Sequence, residues 1–152
     1  MTTQTVQKVF VDWTTFANQV DAIIQSLEGQ SFDRVVGISR GGLPLGVTLS
    51  HKLNLPFTAV GVSSYNDETC EQESLICDTP DVIFEDWKGS ILICDDIADS
   101  GKTLQFLYEK VAHNSQIERL TTTTLYYKER SVFRPDHYIE TTDKWIVFPW
   151  EA

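Results

Sequence analysis

The run Ile91-Leu92-Ile93-Cys94-Asp95-Asp96-Ile97-Ala98-Asp99-Ser100-Gly101-Lys102-Thr103-Leu104 confines this chain to a narrow set of folds. Its first four residues are apolar without alternation. That pattern belongs to a strand buried on both faces, hence to a sheet covered by helices on each side. The strand ends in carboxylates that no core would accept. Leu104, Leu107, Tyr108 and Val111 then recur at helical spacing, so Ser100-Gly101-Lys102-Thr103 opens a helix. A helix start offers unpaired N–H groups and a positive dipole end to a phosphate. Asp95 and Asp96 beside it have the chemistry to accept hydrogen bonds from a sugar diol or to hold a divalent cation. A phosphorylated sugar is the ligand that this pairing predicts.

Gly101-Lys102-Thr103 also matches the tail of the nucleotide-binding P-loop. That motif needs a glycine five residues before Gly101, where this chain has Asp96. A carboxylate there would face the phosphates it should cradle, so the P-loop is excluded. A solvated acidic loop after a core strand is the ordinary alternative. It leaves unexplained why an apolar strand, paired acids, a third Asp and a Ser-Gly-x-Thr helix start occur together.

The rest of the chain alternates strand and helix. Val9 to Val11 reads as a short strand, and Phe16, Val20, Ile23, Ile24 and Leu27 mark one face of a helix that stops at Gly29. Val35 to Ile38 is a second buried strand, followed by Ser39-Arg40-Gly41-Gly42 and a helix with Pro44 in its first turn. Phe57 to Val62 reads as a third strand. Residues 63 to 81 are polar with little periodicity, a length typical of a functional or disordered loop. Leu120 to Tyr127, rich in Thr and aromatics, reads as a further strand. This alternation predicts an α/β protein with a doubly wound, mostly parallel sheet and helices on both faces. Ligands of such sheets bind beyond the carboxyl ends of the strands, where residues 39–42 and 95–103 are placed to meet. In that setting Arg40 has the fork to grip phosphate oxygens, and Gly41 and Gly42 let backbone approach a ligand.

With 152 residues the chain is expected to form one domain, 1–152. Its formal net charge of −10 argues against a general nucleic-acid or anionic-membrane surface. A polyanionic substrate must then be held by local cations and metal ions. The three cysteines show no Cys-x-x-Cys spacing and read as reduced cytosolic thiols. No signal peptide or membrane-spanning run is visible, so a cytoplasmic protein is expected.

Residues 91–104 resemble the phosphoribosyl-pyrophosphate-binding motif of the type I phosphoribosyltransferases: hydrophobic strand, two acids, then Asp-Thr/Ser-Gly. Ser100 stands where Thr is more usual and Ala98 where a bulkier Val often sits; neither change removes a functional group. The resemblance extends over Val11-Asp12-Trp13, Ile38 to Gly42, Ser63 to Tyr65, Lys128 and residues 145–151. It points to the 6-oxopurine branch. The Trp-Ile…Pro-Trp-acid ending is like that of bacterial xanthine-guanine enzymes, while Lys102 and Lys128…Arg134-Pro135-Asp136 are closer to hypoxanthine-guanine enzymes.

The resemblance implies transfer of a 5-phosphoribosyl group from phosphoribosyl pyrophosphate to N9 of a 6-oxopurine, with Mg²⁺ as cofactor, in purine salvage. It implies that Asp99 is catalytic, taking a proton at purine N7. Ser39, Arg40 and Gly41, in a loop that often holds a cis peptide in this family, would bind the pyrophosphate. Asp95, Asp96, Asp99, Ser100, Gly101, Lys102 and Thr103 would bind the ribose and its 5′-phosphate. Asp96 would hold the metal, with Asp95 and Glu151 as further candidates. Ser64 and Tyr65 would belong to a mobile loop that closes over the pyrophosphate. Lys128 would donate to the purine O6, Trp145 would stack on the ring, and the backbone at Ile146 would read the far edge. A small hood of C-terminal and N-terminal segments, mainly about 128–152, would carry these base contacts. A homo-oligomer, dimer or tetramer, and no nucleic-acid partner are expected. Two readings stand beside this one: a regulatory protein of the same fold that binds nucleotide or RNA, and a transferase for adenine or a pyrimidine.

Overall fold

A computed structural model describes residues 6–65 and 74–152. The elements follow in the order β1 (Lys8–Phe10), α1 (Trp13–Ser26), β2 (Arg34–Ser39), α2 (Leu43–Leu53), β3 (Phe57–Tyr65), β4 (Ser74–Cys77), α3 (Val82–Glu85) and β5 (Gly89–Cys94). Then come β6 (Ile97–Ala98), α4 (Lys102–Ala112), β7 (Ile117–Thr123), β8 (Tyr126–Tyr127), β9 (Glu140–Thr141), β10 (Trp145–Val147) and a closing 3₁₀ turn, Pro149–Glu151. The main sheet has the order β4-β3-β2-β5-β7, parallel throughout except for β4, which runs against β3.

Alternation along the central strands builds the two layers. Val35, Leu92 and Cys94 face the cluster formed with Phe16, Val20 and Ile23 of α1 and Leu45 and Leu49 of α2. Val36, Ile38, Ile91 and Ile93 face the opposite cluster, with Phe84, Trp87 and Leu104, Leu107 and Val111 of α4. Both sets are sealed from solvent. This is why β2 and β5 read as unbroken apolar runs in the sequence.

The chain leaves β2 toward β3 on one side and returns to β5 on the other. Strand order therefore reverses between β2 and β5, the switch point at which the loops of such sheets diverge and leave a crevice. The loops that leave these two strands are 39–42 and 95–101.

Two small sheets lie above that end. β1 pairs in parallel with β10 across the whole chain, matching Val9 to Ile146. β8 lies between β6 and β9. The N-terminal strand and the C-terminal aromatic segment thus meet in one layer, which also packs Tyr126, Ile146 and Phe148 onto α1.

The segment from residue 63, expected as an irregular loop, is corrected by the structure. Ser63, Ser64 and Tyr65 continue β3 and pair with Ile76, Leu75 and Ser74 of β4. Beyond Gly61 β3 has left β2 and pairs with β4 alone, and Ser63 and Ser64 are both exposed, so no alternation is there to read. The remainder of the expected mobile loop, 66–73, lies outside the described residues. The expected strand 120–127 is likewise two elements. Thr124 Oγ1 donates to Tyr126 O (2.8 Å), and the chain breaks there into β7 and β8.

Candidate active site

Loops 39–42 and 95–101 meet at the switch point, and glycine makes their contact possible. A Cβ on Gly42 would lie 2.5 Å from Cys94 O and 2.8 Å from Ile38 O, both backbone atoms that cannot step aside. The Ser39–Arg40 peptide bond is cis. Arg40, Gly41, Asp96, Trp150 and Glu151 line one cavity of about 570 Å³.

Asp95 and Asp96 are fixed by the backbone around them. Asp95 donates its N–H to Thr123 O (3.1 Å) and accepts that of Asp96 on Oδ1 (2.9 Å), while Asp96 Oδ1 accepts from Ile97 N–H (2.8 Å). Burial raises both carboxyls above the ordinary aspartate range, and for Asp95 the adjacent Asp96 charge adds to it. Glu151 pushes Asp96 up further, which places a second acid toward the same cavity. Carboxylates held in mutual repulsion at the mouth of a cavity suit a divalent cation. Among the described residues no group of three or more His, Cys, Asp or Glu side chains converges on one point. Asp96 and Glu151 would therefore hold a cation only together with oxygens of a ligand.

The turn 98–103 builds the second subsite. Gly101 sits at φ +78°, a left-handed conformation suited to glycine, and caps α4. A side chain there would also strike the neighbouring loop, with Ser131 Oγ at 2.1 Å and Phe133 N at 2.7 Å from the added carbon. The first hydrogen bond of the helix, Gln105 N–H to Gly101 O (3.0 Å), leaves the Thr103 and Leu104 amides without a partner inside the helix and open to an anion, while Lys102 N–H donates to Ser100 Oγ (3.3 Å). Ser100, Gly101 and Thr103 line a small cavity at this point.

Asp99, Lys128, Arg130, Thr142, Asp143 and Trp145 line a third cavity of about 430 Å³. Lys128 is buried, and its Nζ lies 3.3 Å from Asp99 Oδ1. Arg130 pairs with the same oxygen. Burial would raise the Asp99 carboxyl, but the Arg130 hydrogen bond and the Lys128 charge outweigh it and hold it below its ordinary value. Trp145 is 53% exposed, an unusual state for a large aromatic and one that leaves its ring free to stack. The Trp145 backbone N–H donates to Gln7 O, and Val147 O accepts from Val11 N–H. Alternate residues of a parallel strand bond a given neighbour, so the backbone groups of Ile146 turn away from β1 while its side chain joins the core.

The fold thus gathers Arg40, Gly41, Asp96 and Glu151 at one cavity, Asp95, Asp99, Ser100, Gly101 and Thr103 at the next, and Asp99, Lys128 and Trp145 at a third, with Lys102 facing a neighbouring hollow beside Asp99, Ser100 and Arg130. Ser39 ends β2 at the same edge. Ser64 lies on β3, outside these cavities. Asp136 belongs to the scaffold: its Oδ2 accepts from Thr122 N–H (2.9 Å) and Oγ1 (3.2 Å), bracing the loop after β8. Arg130 was not singled out from the sequence, since a lone Arg in a polar stretch has no periodic or motif signal. Only its contact with Asp99 reveals it.

Residues 7–152 match the phosphoribosyl transferase domain family. The chain is 33% identical over 149 residues to the xanthine-guanine phosphoribosyltransferase of Cereibacter sphaeroides, covering 93% of this chain and 85% of that one. It is similar to the crystal structure of a purine phosphoribosyltransferase from Pyrococcus horikoshii Ot3, with 31% identity and a TM-score of 0.84 over 95% of this chain and 94% of that one. The xanthine-guanine-hypoxanthine phosphoribosyltransferase of Helicobacter pylori shares the fold, with 23% identity and a TM-score of 0.84 over 96% of this chain and 95% of that one.

Proposed function

The chain belongs to the phosphoribosyltransferase family, and on that premise we propose that it joins the 5-phosphoribosyl group of phosphoribosyl pyrophosphate to N9 of a 6-oxopurine. The observation that carries the base class is the buried ammonium of Lys128 beside Asp99, in the cavity that the exposed Trp145 also lines. An ammonium has donors only, so it selects a carbonyl at the 6-position and opposes an amino group there.

The chemistry follows from the three cavities. The amides of the turn 99–103 at the start of α4, with the Ser100 and Thr103 hydroxyls, hold the 5′-phosphate. Asp95 and Asp96 accept from the ribose hydroxyls, and their charge favours the cationic character that develops at C1′. The purine N9 lone pair forms the bond to C1′ as the bond to the pyrophosphate oxygen breaks, and the pyrophosphate leaves with that electron pair. The N7 proton passes to the Asp99 carboxylate. Arg40 and the loop amides receive the pyrophosphate oxygens. Mg²⁺, held by Asp96 and Glu151 together with ligand oxygens, would supply the neutralising charge that a chain of net charge −10 lacks. Ser64 and Tyr65 enter this reading as part of an arm that closes over the pyrophosphate and keeps water from C1′.

Incubation with phosphoribosyl pyrophosphate, Mg²⁺ and guanine, xanthine, hypoxanthine, adenine or uracil tests the proposal directly. Nucleotide and pyrophosphate should form in equal amounts with the 6-oxopurines. Product from adenine or uracil alone would overturn the base class, and no product from any base would overturn the activity.

A further inference from the structure

Lys128 and Arg130 aim at one carboxylate oxygen, Asp99 Oδ1, from opposite surroundings: the Lys128 side chain is 10% exposed and that of Arg130 69%. Lys128 has two tasks that conflict. A base bound with its 6-oxo group at Nζ draws that ammonium away from Asp99. The carboxylate would then lose its buried partner just as the bound base displaces water, and a carboxyl in that position takes up a proton.

We propose that Arg130 is a positioning residue that keeps Asp99 an oriented anion while Lys128 is engaged by the base, so that proton acceptor and O6 donor act in the same complex. The proposal rests on the roles of Asp99 and Lys128 given above.

Backbone register makes this pairing a built feature. Lys128 N–H donates to Ala98 O (3.0 Å) and Val132 N–H donates to Ser100 O (2.8 Å). Asp99 is the residue midway between the two acceptors, and Arg130 the residue midway between the two donors. The loop that carries the guanidinium is therefore stitched to the turn that carries the carboxylate, on both sides of each. Packing at the next residues keeps the stitch tight, since Ser131 and Phe133 fill the space beside Gly101.

The chemistry of the pair suits the task. A guanidinium stays charged at every working pH and holds a carboxylate through a planar fork. Of the influences that oppose burial at Asp99, the Arg130 hydrogen bond is the largest and the Lys128 charge comes next. The other charged groups that share cavities with Asp99 are Glu129 on the same loop, Asp143 across the pocket and Lys102 in the turn. Among the described residues none of these three forms an ion pair with it. An ion pair this exposed contributes little to folding, so stability gives no reason for its precise placement.

The test uses the whole protein and the variants Arg130→Gln and Arg130→Lys. The Asp99 carboxyl is titrated by ¹³C NMR in the free protein, assigned with Asp99→Asn, and kcat/KM for guanine is measured across the same pH range. Arg130→Gln should move the Asp99 titration to higher pH and shift the acid limb of kcat/KM with it. The loss should be about tenfold at the acidic end, the factor that a one-unit rise in the pKa of a required base gives there, and should close at alkaline pH. Arg130→Lys should restore most of the acid limb, and the thermal midpoint should stay unchanged in both. An unmoved Asp99 titration, or a loss equal at every pH, overturns this inference alone. No nucleotide from the parent with any base overturns it together with the proposed activity.

Discussion

The carboxylate of Asp96 fills the space that a side chain at position 41 would need: a Cβ on Gly41 would lie 2.4 Å from Asp96 Oδ2 and 2.7 Å from its Cγ. Asp96 is not free to yield, because its Oδ1 holds the Ile97 amide. Gly41→Ala should therefore displace both loops of the switch point at once. Overpacking of this kind costs about 1–3 kcal/mol, visible as a lowered thermal midpoint. Phosphoribosyl pyrophosphate affinity should fall by more than the stability loss explains. Calorimetric titration beside a melting curve separates the two, and unchanged affinity would show that the loops act independently.

The buried strands and the phosphate turn were legible in the sequence because each is local. Four apolar residues ending in acids fix where β5 stops, and helical spacing from Leu104 fixes where α4 begins. The pairing of Val9 with Ile146 was not legible, since nothing in either short strand encodes a partner so far along the chain. The extension of β3 toward Tyr65 was hidden for a different reason: Ser63 and Ser64 are polar and both exposed, and a strand segment with neither face buried shows no alternation. In the site, Asp95, Asp96 and Asp99 stood out because carboxylates after a core strand break the apolar pattern. Arg130 did not, because an exposed Arg is the default state of that residue and only the register between residues 98–100 and 128–132 gives it a role.

Asp12 offers a pH signature for the layer above the site. Its Oδ1 accepts the Thr15 N–H at 2.7 Å and caps α1, and that hydrogen bond holds its carboxyl below the ordinary aspartate value. A carboxylate with a depressed folded pKa adds stability above its unfolded value and loses it as the pH falls through the folded one. Asp12→Ala should thus lower the melting temperature at neutral pH, with the difference from the parent vanishing in strong acid. Asp12→Asn keeps a capping acceptor and should remove the pH dependence while retaining most of the stability. A parent–Ala difference that persists unchanged into acid would assign the effect to packing near Trp13 instead.

The raised Asp95 and Asp96 carboxyls and the nearby Glu151 predict a metal requirement. Chelation should abolish turnover, and Mg²⁺ or Mn²⁺ should restore it. Glu151→Gln should raise the Mg²⁺ concentration needed for half-maximal rate while leaving the melting temperature alone, because Glu151 is exposed. Full turnover in excess chelator would remove the metal from the reaction.

Under the proposed function Lys128 and Trp145 would divide base recognition between them, and their variants should fail in different ways. Lys128 is buried against Asp99, whereas Trp145 leaves half its surface to solvent at the mouth of the same cavity. A site that hydrogen-bonds one substrate group rejects an analogue lacking it by about 10⁴–10⁵, since its own buried group is left unpaired. Adenine should therefore be almost inert with the parent, while guanine, xanthine and hypoxanthine react. Lys128→Ala should shrink the gap between hypoxanthine and adenine, because the ammonium that opposes the 6-amino group is gone. Trp145→Ala removes a stacking surface that any purine plane shares, so KM should rise for every base with their order unchanged. Catalytic efficiency on these four bases for the parent and both variants decides the matter. Should Lys128→Ala leave the ranking as it was, the 6-position is read by some other group, and the assignment of Lys128 falls.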